Sequence, residues 1–84
     1  MYYTYVLRSK KDGNLYIGHT DNLARRLGEH NSGKVRSTSS RGPFDIVHTE
    51  TFDTRSDARW RERYLKTASG KGKLKRSLNN SVPL

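Results

Sequence analysis

The first twenty residues are dense in aromatic and aliphatic side chains, and a polar turn interrupts them once. Residues 2–9, Tyr-Tyr-Thr-Tyr-Val-Leu-Arg-Ser, read as a strand. They end at Ser9-Lys10-Lys11-Asp12-Gly13-Asn14, in which Asp-Gly is a strong hairpin signal because both residues tolerate positive φ. Leu15-Tyr16-Ile17-Gly18 is then the returning strand. Side chains alternate faces along a strand. A connection of even length therefore puts Tyr3, Tyr5, Tyr16 and Gly18 on one face and Val6, Leu15 and Ile17 on the other, while an odd one breaks the separation. The expected hairpin has an aliphatic side suited to a core and a phenolic side left for something else.

After residue 20 the hydrophobic period becomes helical. Thr20-Asp21-Asn22 offers N-caps for a helix running to about His30, with Leu23 and Leu27 on its buried stripe. Arg26 and His30, at i+3 and i+7 from Leu23, border that stripe. Arg26 is thus expected toward the sheet, and Arg25 toward solvent with Glu29 as its i,i+4 partner. Residues 31–43 form a polar loop whose hydroxyls alternate with Lys34, Arg36 and Arg41, a pattern that suits phosphate contacts and equally a solvated linker. Phe44 to Phe52 predicts a third strand, with Phe44, Ile46 and Phe52 on one face and Val47 on the other. Thr54 opens a further helix, with Asp57 placed as in a capping box, that continues to about Ala68 and stops at Gly70. Ala58, Glu62 and Leu65 share one stripe of it; Trp60 and Tyr64 share a second. Residues 70–78 predict a short basic helix anchored by Leu74 and Leu78, and their glycines lack the full spacing of a P-loop. The fold class is α/β in the broad sense, more narrowly α+β: a small sheet flanked by helices.

Size and charge narrow the picture. Eighty-four residues make one domain, 1–84, with its core within about 2–78. Such a chain buries roughly 60% of the surface its unfolded form exposes, so the core is small. Five Tyr, two Phe and one Trp carry much of its apolar area. The absence of cysteine rules out disulfides and thiolate metal sites and fits a cytoplasmic location. No run approaches the roughly 18 apolar residues of a membrane span, and the N-terminus lacks the pattern of a signal peptide. The net charge is +9, unevenly spread: residues 1–54 carry eight Lys/Arg against six Asp/Glu, and residues 55–84 carry nine against two. A domain this basic attracts polyanions, of which nucleic acid is the commonest. A solvated face, a ribosome-bound protein and a membrane-surface protein are the blander alternatives.

Tyr5, Tyr16, Arg26, His30 and Glu62 are the residues that could carry chemistry. Each has a structural explanation as well. Tyrosines on a small sheet are often core aromatics with a wet hydroxyl, His30 can cap its helix, and Glu62 can pair with Arg59, Arg61, Arg63 or Lys66.

Taken together in order, Tyr3-Thr4-Tyr5, Leu15-Tyr16-Ile17-Gly18, Arg26-Leu27-Gly28-Glu29-His30-Asn31-Ser32-Gly33-Lys34 and Arg61-Glu62-Arg63-Tyr64-Leu65-Lys66 resemble the GIY-YIG nuclease superfamily, in particular its stand-alone members. The resemblance runs from Tyr2 to about Leu78. It implies a three-stranded antiparallel sheet flanked by helices and hydrolysis of DNA phosphodiester bonds. The DNA would include branched or damaged forms met in repair or recombination. One divalent cation, Mg²⁺ or Mn²⁺, would be held by Glu62. Tyr5 closes the first motif, Tyr16 opens the second, and Arg26 and His30 match the first helix. Lys34, Arg36, Arg41, Arg61, Lys66, Lys71 and Lys73 are then candidate nucleic-acid contacts. Tyr3 departs from the pattern by standing where the first glycine is expected. Arg59 stands in place of a leucine, which would loosen packing of the Glu62 helix. For the late asparagine of some relatives, Asn79 and Asn80 are the nearest candidates.

The implied chemistry sets demands on these residues. A single carboxylate leaves most of the shell of Mg²⁺ to water and phosphate, as that ion prefers, and a bound cation lowers the pKa of its water. Arg26 would offer a planar fork to nonbridging oxygens. The water's proton needs an acceptor. A free phenol reaches phenolate at pH 7 only at a cost of about 4 kcal/mol, whereas His30, near 6.5, is the cheaper base. Tyr5 or Tyr16 as base with His30 assisting is the leading expectation. The alternative is a nucleic-acid-binding module of the same fold with little or no turnover.

Overall fold

The computed structural model describes residues 1–80; positions 81–84 of the expected span, and the side chain of Asn80, lie outside the described residues. Three strands, β1 (Tyr2–Ser9), β2 (Leu15–Thr20) and β3 (Phe44–Phe52), form an antiparallel sheet in the order β2-β1-β3. The helices are α1 (Leu23–Asn31), α2 (Arg55–Leu65) and α3 (Ala68–Asn80), with a 3₁₀ turn at Arg36–Thr38. The α+β architecture is therefore the one the sequence predicts.

The hairpin register pairs Tyr3 with Thr20, Tyr5 with Gly18 and Leu7 with Tyr16, and Val6 with Ile17 on the opposite side. The connection between the paired residues Arg8 and Leu15 has even length, so the phenolic and aliphatic faces separate as expected. Helices cover both. Val6 and Ile17 pack with Leu65 of α2 and Leu74 of α3, and Leu15, Val47, Tyr64 and Leu78 close that cluster. Tyr5, Leu7 and Phe44 pack on the other side with Tyr16 and with Leu23 and Leu27 of α1. The central strand is consequently buried on both faces from Thr4 to Leu7. Even Thr4 is satisfied there, its hydroxyl donating to the Ala58 carbonyl at 2.7 Å.

Four local expectations need correction. A bulge shifts the β1–β3 register between Val6 and Leu7, so that Leu7 pairs with Ile46 and Val6 with His48. Phe52, paired with Tyr2, therefore lies on the face opposite Phe44 and Ile46. The second helix does not run to Ala68. It ends at Leu65, and Thr67 starts α3, its hydroxyl accepting from the Gly70 amide at 3.1 Å. Gly70 is not a helix stop. It lies in the first turn of α3, where a Cβ would run into the Tyr64 carbonyl and Leu65 Cα. Glycine is needed there because two helices meet almost backbone to backbone. Finally, Arg59 is exposed, so it does not loosen the α2 packing.

Candidate functional site

Two of the five candidate residues meet across β1 and α1. Tyr5 is 2% exposed and His30 is 1% exposed. The Tyr5 hydroxyl and His30 Nε2 are 2.9 Å apart, and His30 Nδ1 lies 2.8 Å from the Thr38 hydroxyl. The Thr38 hydroxyl also donates to the Val35 carbonyl at 3.3 Å. Its lone pair is thus left to accept from His30 Nδ1–H, which leaves Nε2 to accept from Tyr5. The chain Tyr5–His30–Thr38–Val35 fixes both rings. Burial, with the Arg26 charge beside it, holds His30 below its ordinary value despite the opposing charge of Glu29. Its imidazole is neutral at pH 7.

The Tyr5 ring lies over Gly18, where any Cβ would sit 2.5 Å from the phenol oxygen. This close approach is the physical reason for glycine after Tyr16-Ile17. Burial pushes the Tyr5 phenol up to about 12, against the opposing effect of Arg26, and the nearby Tyr16 and Glu62 push the same way. Tyr16 is only half-buried and closes the group, with its ring centroid 4.8 Å from that of His30 and 6.4 Å from that of Tyr5.

Arg26 joins from α1. Asn22 caps that helix, its side chain accepting from the Arg25 amide at 3.0 Å. Tyr5 stands near enough to Arg26 to raise the guanidinium above its ordinary value, against the opposing effect of its own partial burial. Its Nη1 also donates to Glu29 Oε1 at 3.0 Å. Arg25 pairs with Asp21 at 2.8 Å and not with Glu29, which corrects the expected pairing.

Glu62 reaches the same strand edge from the opposite face. Its stripe on α2 turns inward, with Ala58 and Leu65 buried and the Glu62 side chain 15% exposed. Glu62 also makes the Lys66 pairing that the sequence left open as its structural explanation. His19 of β2 donates from Nδ1 to Oε1 at 2.6 Å, and Lys66 donates to Oε2 at 2.8 Å. Burial alone would raise the Glu62 carboxyl, but the hydrogen bonds and charges of Lys66 and His19 outweigh it and hold it below its ordinary range. A cleft of about 230 Å³ is lined by His19, Thr20, Asp21, Arg25, Arg26, Glu29 and Arg55, so that it touches Arg26 of one group and the Glu62 partner His19 of the other. Arg26 opens into it from one side, and the imidazole that holds Glu62 from the other. Because β2 is an edge strand, groups from both faces of the sheet can converge past it.

No three His, Cys, Asp or Glu side chains gather into a metal site among the described residues. Glu62 offers a single ionised carboxylate. That donor fits a hard cation such as Mg²⁺ or Mn²⁺, which takes one or two carboxylates and leaves the rest of its shell to water and phosphate. Lys66, with half of its side chain exposed, occupies Oε2, and a cation bound there would take its place.

The basic candidates divide. Arg41 is tied to Asp12 at 3.3 Å and lies over the Phe44 ring. Arg61 donates to Glu50 at 2.8 Å and stacks on Tyr64, and Lys66 is held by Glu62. The structure thus places these three in internal contacts. Lys34, Arg36, Lys71 and Lys73 are exposed and make no ion pair among the described residues. Asn79 lies near the end of α3, an exposed position. Sequence reasoning missed His19 and Thr38. Strand alternation beside Gly18 places His19 on the α2 face and could have found it, whereas nothing separates Thr38 from Ser37, Ser39 and Ser40.

Comparison with known proteins agrees with this architecture. Residues 1–76 match the model of the GIY-YIG catalytic domain, and the chain belongs to that family. Membership puts it in an endonuclease superfamily whose members act on nucleic acid and generally depend on a divalent metal. Among individual proteins it is similar to a UPF0213 protein of Natronomonas pharaonis, 45% identical over 81% of this chain and 80% of that one. A UPF0213 protein of Staphylococcus saprophyticus is 40% identical over 88% and 90%. The solution structure of the UPF0213 protein BH0048 from Bacillus halodurans superposes with a TM-score of 0.53, at 37% identity, over 88% of this chain and 82% of that one.

Proposed function

We propose that this protein is a metal-dependent DNA endonuclease, with Tyr16, Arg26 and Glu62 as its reacting-centre residues and Tyr5 and His30 behind them. One observation carries the reading: a buried phenol–imidazole pair with Arg26 beside it and an ionised Glu62 arrive from opposite faces at a single strand edge. A Mg²⁺ or Mn²⁺ ion bound at Glu62 would supply Lewis acidity and a more acidic bound water. Arg26 binds the nonbridging phosphate oxygens and opposes the charge that builds there. Tyr16, the less buried phenol, first gives its own proton to solvent, and as phenolate it orients the attacking water and takes that water's proton, while the departing oxygen is protonated from solvent. Tyr5 keeps its proton on the hydrogen bond to His30 and holds the Tyr16 ring in place. Substrates of branched or damaged form, as in repair, suit a small domain with exposed Lys34, Arg36, Lys71 and Lys73.

A second reading, a binding module with little turnover, is favoured by the engagement of both Glu62 oxygens by His19 and Lys66. Nicking of supercoiled plasmid separates the two. The endonuclease reading expects Mg²⁺-dependent relaxation that stops with EDTA and falls at least about 100-fold in Glu62→Gln, with DNA affinity kept. Binding without nicking in any divalent metal selects the module.

A further inference from the structure

The outward face of α2 carries a feature the catalytic reading does not use. Trp60, the chain's single tryptophan, is 72% exposed, and no described ring or guanidinium stacks on it. Arg55, Arg59 and Arg63 recur at i, i+4 and i+8 along the neighbouring row of this helix. None of the three has an ion-pair partner among the described residues. Ser56, Arg59, Trp60 and Arg63 line a shallow recess of about 170 Å³. Arg55 lies over the Tyr2 ring at 4.9 Å and also lines the cleft shared by Arg26 and His19. The arginine row thus begins at the cleft shared by Arg26 and His19 and runs along the outward face of α2, with the indole beside it.

We infer that this face is a docking track for an unpaired nucleotide strand: Arg55, Arg59 and Arg63 hold successive phosphates, and a base stacks on Trp60. An exposed indole on a small domain loses apolar burial that folding would otherwise recover. Unpaired cations along the next row select a polyanion as its occupant and disfavour a second copy of this chain, whose net charge is also +9. Among polyanions, a flat exposed ring selects one with open π faces. Bases in a single strand present them, whereas bases in a duplex are already stacked on each other. The inference rests on the nucleic-acid-binding part of the reading above and is independent of turnover.

Because Trp60 is the only tryptophan, its fluorescence reports this surface alone. The test titrates the wild-type chain in EDTA with a single-stranded 12-mer, the matching duplex, and heparin, a polyanion without bases. Saturable quenching by the single strand is expected, with little from duplex or heparin. Trp60→Ala should weaken single-strand affinity on the order of tenfold, the loss of one base–aromatic stack, while Trp60→Phe keeps most of it. Equal quenching by heparin, no quenching, or affinity unchanged in Trp60→Ala overturns the inference. So does a shift of the emission with protein concentration alone, which marks a second copy as the occupant. If plasmid nicking fails while quenching persists, the catalytic reading falls and this one stands; if nicking persists without quenching, the reverse holds.

Discussion

Tyr5 and Tyr16 carry the same phenol in different surroundings. Tyr5 is sealed under α1 and raised to about 12, so reaching phenolate at pH 7 would cost about 7 kcal/mol, five pK units. Tyr16 is open enough to touch water. Tyr16→Phe should therefore lower kcat by about 100-fold or more with KM within a few-fold, in the range of a lost general base. Tyr5→Phe removes a hydrogen bond to His30 and should cost activity less than Tyr16→Phe does, together with some stability. Single-turnover rates on a nicked-flap substrate separate them, and a larger loss in Tyr5→Phe would reverse the assignment. The positions of Tyr5, Tyr16, Arg26, His30 and Glu62 were legible because helix and strand periods set which face each occupies. The hydrogen-bond partners His19 and Thr38 were not, because a partner is defined by tertiary contact and not by local period.

Most elements follow from local signals, and the departures occur where one backbone closely meets another. The hairpin, the Asn22 cap and the Thr54 cap all follow from residue chemistry, although only one arm of the Thr54 capping box is present, from the Asp57 amide at 3.2 Å. The β3 bulge and the break at Lys66–Thr67 were hidden. Nothing in Phe44–Phe52 marks the extra residue, and Gly70 has the composition of a helix stop while serving as a contact. Glycine substitutions test this interpretation. Gly18→Ala should cost about 1–3 kcal/mol of stability through overpacking and also displace Tyr5. Gly70→Ala should cost at least as much, because its obstacle is backbone. Denaturation midpoints in urea measure both; an unchanged midpoint in Gly70→Ala would contradict the close α2–α3 junction.

At the scale of the whole molecule, the charge gradient and the order of the motifs were readable along the chain, while the meeting of opposite sheet faces at β2 needed coordinates. On the proposed reading, exposed Lys34, Arg36, Lys71 and Lys73, with the α2 arginines, would make DNA affinity dependent on counterion release. The logarithm of the binding constant should fall against the logarithm of salt with a slope steeper than about −3, on the order of four phosphate contacts. Fluorescence anisotropy of labelled DNA measures it, and a flat response would remove the phosphate contacts from the account. The central claim is that a cation binds at Glu62, beside the cleft that Arg26 and His19 line and within reach of Tyr16. Substoichiometric Mn²⁺ added to isotope-labelled protein tests it most directly by NMR line broadening. The signals of Tyr16, His19, Arg26 and Glu62 should broaden first, and Glu62→Gln should abolish the effect. Broadening centred on Glu50 or Asp45, or unaltered by Glu62→Gln, would contradict it.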